Sequence, residues 1–176
     1  QNATALFTGD ALKLWSGNQA PLFVQQHCAD AVGLEPEAVT LHTTFMGGAF
    51  GRRGEMDFSV YAARVAQAMP GTPVQVTWSR EEDMTHDFYR PGAVARFRGA
   101  VQDGKAVLLD GQIAAQSCVT QAMGRWLGFA PGGPDKGHVS GAFDQPYGIP
   151  NYRIRGYLAE MDLPVGFWRS VGASFN

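Results

Sequence analysis

Three short stretches carry groups suited to holding an anionic or carbonyl-bearing ligand. The first is Thr44-Phe45-Met46-Gly47-Gly48-Ala49-Phe50-Gly51-Arg52-Arg53, between a predicted strand and a predicted helix. Glycines let the backbone come close to a ligand, N–H groups at a helix start attract anionic oxygens, and Arg52 and Arg53 add charge-assisted donors. Without a ligand, the same stretch reads as a tight strand-to-helix turn with two solvated arginines. The second is Trp15-Ser16-Gly17-Asn18-Gln19-Ala20-Pro21. Its Gln19 amide could both donate to and accept from a ligand oxygen, or could be an ordinary exposed loop glutamine. The third is Phe167-Trp168-Arg169-Ser170-Val171-Gly172, where an arginine among aromatics could orient a flat substrate or simply stack on a surface tryptophan.

Other chemistry has weaker support. The glycine loop has neither the GxGxxG of a dinucleotide fold nor the Gly-Lys-Ser/Thr of a P-loop, although a phosphate-binding turn stays open. His27, His42, His86 and His138 show no HExxH or paired ligand spacing. Cys28 and Cys118 form no CxxC pair, and His27 and Cys28 fall on a predicted helix as structural residues. Met46, Met56 and Met69 read as core filling, and Arg80-Glu81-Glu82-Asp83 as a solvated turn or helix start.

The elements that must position these groups follow from periodicity. Residues 3–8 and 11–15 read as strands around a Gly9-Asp10 turn. Pro21 opens a helix carrying Val24, Cys28, Ala31 and Val32, with Gly33 as its C-cap. A strand over residues 39–44 runs into the glycine loop. The clearest helix buries Phe58, Tyr61, Ala62, Val65, Ala66 and Met69 and stops at Pro70-Gly71. Residues 73–78 form a strand, residues 93–101 and 105–115 a hairpin around Asp103-Gly104, and residues 151–160 a last strand. Between Cys118 and Tyr147 the periodicity fades, and Pro131-Gly132-Gly133-Pro134 marks a loop. The expectation is an α+β fold: a mixed β-sheet with two principal helices.

Composition narrows the classes. The chain has 176 residues, 45% of them hydrophobic and 17% charged, which suits one folded domain rather than disorder. A net charge of -2 gives no pull toward nucleic acid or anionic membranes, and no apolar run is long enough for a membrane span. Gln1 begins the chain without a targeting signal and Phe175-Asn176 ends it without a closing element. An internal segment of a longer protein is therefore expected, and bacterial cytoplasm and periplasm stay equally open.

The order of motifs is more specific than any one of them. Trp-x-x-x-Gln-x-Pro comes first, then Gly-Gly-Ala-Phe-Gly-Arg-Arg and Trp78-Ser79-Arg80-Glu81-Glu82-Asp83-Met84. Tyr147-x-Ile149-Pro150-Asn151 and Arg169-Ser170-Val171-Gly172 follow. The set resembles the molybdopterin-binding large subunit of the xanthine dehydrogenase/aldehyde oxidase family, in particular its isoquinoline 1-oxidoreductase β-subunit branch.

That resemblance implies a single fragment, residues 1–176, of a molybdopterin-binding domain within a longer subunit. It implies a molybdenum hydroxylase acting on an aldehyde or N-heterocycle with water-derived oxygen. The molybdopterin would be of the cytosine dinucleotide form, and iron–sulfur clusters would sit on a partner subunit. Gln19 matches the glutamine near the apical molybdenum oxygen. Gly47, Gly48, Ala49, Phe50, Gly51 and Arg52 match the cofactor loop, and Arg169 matches the substrate-orienting arginine; no residue here is a direct metal ligand. The general-base glutamate is expected outside this chain, so the fragment alone should be inactive. Gly54 stands where purine-oxidising relatives carry a glutamate, and Val171 where they carry a phenylalanine, which argues against purines. The competing expectation is a non-catalytic binding or assembly domain that keeps the scaffold without metal.

Overall fold

The computed structural model describes residues 1–174; Phe175 and Asn176, the expected open end, lie outside the described residues. The chain divides into two compact units, Gln1–Asp87 and Phe88–Asn176. Each combines helices with a sheet of mixed parallel and antiparallel pairing, so the α+β expectation holds.

In the first unit β1 (Asn2–Phe7) and β2 (Leu12–Ser16) form the expected hairpin. Phe7 sits opposite Leu12, and the Thr8 N–H donates to the Ala11 carbonyl at 2.9 Å across the Gly9-Asp10 turn. Helix α1 (Pro21–Val32) carries the chain over to β3 (Val39–Thr43), which pairs parallel to β2. A parallel neighbour needs such a crossover. Helix α2 (Asp57–Ala68) then leads to β4 (Val74–Thr77), antiparallel to β1, giving the order β3-β2-β1-β4. Alternate strand residues, Ala3, Ala5 and Phe7 with Leu12, Leu14 and Ser16, are buried together with Val24 and Cys28 of α1 and Phe58 of α2. A short helix α3 (Arg80–His86) ends the unit. Ser79 caps it by accepting from the Glu82 N–H, and Glu81, Glu82 and Asp83 fill the first turn, where the helix dipole favours negative charge.

Helix α2 departs from the expected face. It buries Phe58, Ser59, Ala62, Ala63 and Ala66, whereas Tyr61, Val65 and Met69 are exposed. Beyond Phe58 in its first turn, the buried stripe is made of small residues, and the longer side chains are displaced to its flanks. Of the three methionines expected in the core, only Met56 is buried.

The second unit is built on β5 (Ala93–Gln102), β6 (Lys105–Ala115) and β7 (Asn151–Leu158), in that order. β5 and β6 form the expected hairpin with Gln102 opposite Lys105, and β7 pairs parallel to β6. Between them lies α4 (Cys118–Leu127), a helix where sequence periodicity had faded. It buries only Cys118 and Ala122, one turn apart, and has Gly124 in its interior, so its apolar repeat is too sparse to read. Its ends were the legible signal: the Ser117 hydroxyl accepts from the Thr120 N–H, and Gly128 closes the C-terminus. The described residues contain four α-helices, of which α1 and α2, at 12 residues each, are the longest. Ile113, Val139 and Ala142 form a small core with Ile154 packed against it. No helix among the described residues is long and apolar enough to cross a membrane.

Phe58 is fully buried, so Phe58→Ala should cost about 3–5 kcal/mol, seen as a lower denaturation midpoint. Burial pushes the Cys28 thiol up to about 12. At pH 8 it should therefore stay protonated and resist iodoacetamide until the protein is denatured. Peptide mapping checks this, and labelling of the native protein at Cys28 would contradict it.

Candidate functional site

The turn between β2 and α1 is built by a residue that the sequence reading passed over. Asn18 is buried; its Nδ2 donates to the Ser16 carbonyl at 3.0 Å, and its Oδ1 accepts from the Ala20 N–H at 3.2 Å. This local amide turn presents Gln19, which is exposed, just ahead of α1. An Asn three residues before the helix was the available signal. The Ser16 hydroxyl, at the end of β2, meets that of Ser59 on α2 at 2.7 Å, fixing the turn to the helix behind it.

The glycine loop docks on this turn. The Gln19 N–H donates to the Arg53 carbonyl at 2.8 Å, and Gln19 Oε1 accepts from the Gly51 N–H at 3.0 Å. Arg53 Nη1 donates to the Gly17 carbonyl at 2.8 Å. A Cβ at Gly17 would lie 2.7 Å from Met46 Cγ, so the backbone there must stay bare for the loop to sit down. Phe50 (φ 53°) and Gly51 (φ 92°) both adopt positive φ, which turns the chain back toward Gln19. Phe50 is strained in doing so, while glycine tolerates the conformation.

This docking leaves a row of donors. The backbone N–H groups of Phe45, Met46, Gly47, Gly48, Ala49 and Phe50 donate to no protein acceptor among the described residues. Gln19 has its oxygen committed to Gly51, while its Nε2 has no protein partner among the described residues. Successive N–H groups next to a left-handed residue are a recurring way to hold anionic oxygens. An amide nitrogen beside them suits the same ligand atoms. Among the described residues no group of three or more His, Cys, Asp and Glu side chains is placed to hold a metal ion directly.

Arg52 is neither solvated nor a free donor. Its side chain is 2% exposed; Nη1 and Nη2 donate to the Asp57 carboxylate at 2.9 and 2.8 Å, and Nε donates to Asp87. The guanidinium also lies 5.7 Å from the Trp78 ring and 6.0 Å from that of Phe58. Burial alone would lower its pKa, but the hydrogen bonds and charges of Asp57 and Asp87 outweigh that and hold it above the ordinary arginine value. Burial, with Arg52 alongside, holds Arg53 below that value. The expectation of two ligand-facing or solvated arginines is thus corrected for Arg52: its side chain braces the loop against α2 and the end of α3. Asp57 and Asp87 are the missed members of this brace. Asp57 was findable as an acid five residues on, at a helix start; Asp87 was not.

Gly54 is buried in the short turn over residues 52–54. Arg169 belongs to the second unit, and so does the Ser170-Val171-Gly172 stretch that follows it. Its side chain is exposed. Gln19 and residues 47–51 are the predicted site residues that one unit brings together.

Replacing Arg52 with alanine would leave two part-buried carboxylates facing each other. Arg52→Ala should therefore lose about 3 kcal/mol of stability. Urea denaturation measures it, and an unchanged midpoint would contradict the brace.

A family profile described as the molybdopterin cofactor-binding domain matches residues 1–174. The chain is 30% identical over 162 residues to the isoquinoline 1-oxidoreductase subunit beta of Brevundimonas diminuta, covering 91% of this chain and 20% of that protein. Aldehyde oxidoreductase from Desulfovibrio gigas superposes with a TM-score of 0.72 at 22% identity, over 97% of this chain and 18% of the other. Quinoline 2-oxidoreductase from Pseudomonas putida 86 does so with a TM-score of 0.71 at 18% identity, over 97% and 22%. These structural likenesses speak for the fold, and the chain spans about a fifth of the length of such relatives. With the profile matching across nearly all of its length, the chain belongs to the molybdopterin cofactor-binding domain family.

Proposed function

We propose that this chain forms part of the cofactor wall of a molybdenum hydroxylase that oxidises an aldehyde or an N-heterocyclic aromatic compound with water-derived oxygen. The observation that carries this reading is the row of uncommitted N–H groups over residues 45–50 beside the Gln19 amide nitrogen. A molybdopterin, in its cytosine dinucleotide form, fits such a site because its oxygens are acceptors and the site offers donors. When bound, that group supplies the two-electron redox centre, and iron–sulfur clusters on a partner subunit take the electrons onward.

The residues of this chain then act as binders and orienters. Gln19 Nε2 would donate to an oxygen of the bound cofactor, while its Oε1 stays locked to Gly51. The Gly47-Gly48-Ala49-Phe50 backbone lines the same side, and Arg52 keeps the loop in place from behind. A fixed donor set of this kind needs no reorganisation when charge develops during reaction. Arg169 orients the substrate: a guanidinium stabilises negative charge growing on a carbonyl or ring nitrogen. The general base is contributed from outside this chain.

The names of the relatives, isoquinoline 1-oxidoreductase, quinoline 2-oxidoreductase and aldehyde oxidoreductase, support an aromatic heterocycle or an aldehyde as substrate. Gly54 and Val171 support the same choice over a purine, because neither supplies the carboxylate or the ring that purine-oxidising relatives use.

Two substitutions in the complete gene product test the reading. Gln19→Ala should leave the fold intact and reduce turnover by about 10-fold or more, the usual scale for losing an orienting hydrogen bond at a metal centre. Gly51→Val puts a β-branched residue at φ 92° and so distorts the loop, and metal analysis should find most of the molybdenum lost. Unchanged molybdenum content and turnover in both variants would overturn the proposal.

A further inference from the structure

The backbone that carries Arg169 is held in an unfavourable shape. Ser170 (φ 72°) and Val171 (φ 44°) both lie in the left-handed region, and a β-branched residue there is an outlier. Such conformations persist only where surrounding contacts over-determine them, and they concentrate at functional positions. The contacts here are identifiable. The Val171 N–H donates to the Trp168 carbonyl at 2.8 Å and the Ala173 N–H to the Ser170 carbonyl at 2.9 Å. Gly172 packs so closely that a Cβ would lie 2.1 Å from the Gly137 carbonyl oxygen.

The segment before β5 runs alongside as a splint. The Phe88 carbonyl accepts from the Trp168 indole N–H at 2.7 Å. Tyr89 donates its N–H to the Pro164 carbonyl at 2.9 Å, and its carbonyl accepts from the Gly166 N–H at 3.0 Å. Arg90 completes the row: Nη1 donates to the Arg169 carbonyl at 3.0 Å and also to the Ser174 hydroxyl. Helix α4 secures the opposite side of the same segment. Gln121 Oε1 accepts from the Val165 N–H at 2.8 Å, and Arg125 Nη2 donates to the Val165 carbonyl at 3.0 Å. Among the described residues, Arg90 is the side chain that reaches the backbone of Arg169 itself, and it spans the strained bend from Arg169 to Ser174. The Arg169 guanidinium, by contrast, makes no hydrogen bond or ion pair with any described residue.

We propose that Arg90 is a positioning residue that holds the strained 169–174 bend and so fixes the direction in which Arg169 is presented. The inference rests on the reading of Arg169 as the substrate-orienting cation. It assigns Arg90 no contact with substrate. Arg90 acts through one carbonyl and one hydroxyl, both reached by the N–H bonds of Nη1.

The test uses the complete, cofactor-loaded gene product, with benzaldehyde and isoquinoline as probe substrates. Arg90→Ala should speed amide exchange at Val171 and Ala173 at least tenfold, without change in molybdenum content. It should lower kcat/KM about tenfold, with millimolar guanidinium restoring part of the loss. Arg90→Lys should show the same losses to a smaller degree and serves if the alanine variant does not fold. Added to Arg169→Ala, the Arg90 change should cost no further activity, because its effect runs through Arg169. Unchanged exchange and kinetics in both Arg90 variants, with Arg169→Ala strongly impaired, would overturn the positioning role and leave the Arg169 reading standing. Full activity in Arg169→Ala would overturn that reading, and the inference with it.

Discussion

Two hydrogen bonds running in opposite directions join Gln19 to the glycine loop, and the rest of the site is arranged around them. Gln19 donates its backbone N–H to Arg53 and accepts the Gly51 N–H on its side-chain oxygen. The second bond decides which end of the amide remains for a ligand. With Oε1 occupied, Gln19 is a donor, and it joins the loop's uncommitted N–H groups in that role. The site therefore offers N–H donors from both the turn and the loop, a set suited to the oxygens of an anionic ligand.

Keeping a loop of glycines in one shape requires rigidity from elsewhere. Arg52 provides it from beneath through Asp57 and Asp87, and the Asn18 turn provides it from the side through Gln19. A buried arginine is costly unless its donors are used, and here Nε, Nη1 and Nη2 meet carboxylates. The second unit solves a similar problem by other means. It carries an exposed arginine on a bend with two non-glycine residues at positive φ, and holds the bend by backbone hydrogen bonds and Arg90 Nη1. In both units the strained or bare-backbone residues adjoin the groups assigned to binding. The anchoring side chains Asn18 and Arg52 are buried in the first unit, whereas Arg90 holds the bend from an exposed position.

Much of the architecture could be read from residue order, and the misreadings share a physical cause. Turn chemistry at Gly9-Asp10 and Asp103-Gly104 located both hairpins because the signal is local. The Gln19 and glycine-loop motifs were recognised as a set, and the structure brings them into contact. Arg52 was misread because its partner Asp87 is 35 residues away, and sequence carries no sign of which charges meet. The buried face of α2 was misread beyond Phe58 because alanine and serine, rather than Tyr61, Val65 and Met69, line the helix where it meets the sheet. Helix α4 was missed because its apolar repeat is sparse, although Ser117 and Gly128 marked its ends. Local chemistry survives in sequence; long-range pairing and packing distance do not.

The most direct measurement is a crystal structure of the complete gene product with its molybdenum cofactor bound. Gln19 Nε2 and several of the backbone nitrogens of residues 45–50 should lie within hydrogen-bonding distance, about 2.7–3.2 Å, of cofactor oxygens, with the Gly51 bond to Gln19 Oε1 retained. A cofactor seated elsewhere, with these donors turned to solvent, would contradict the assignment of this loop as its wall.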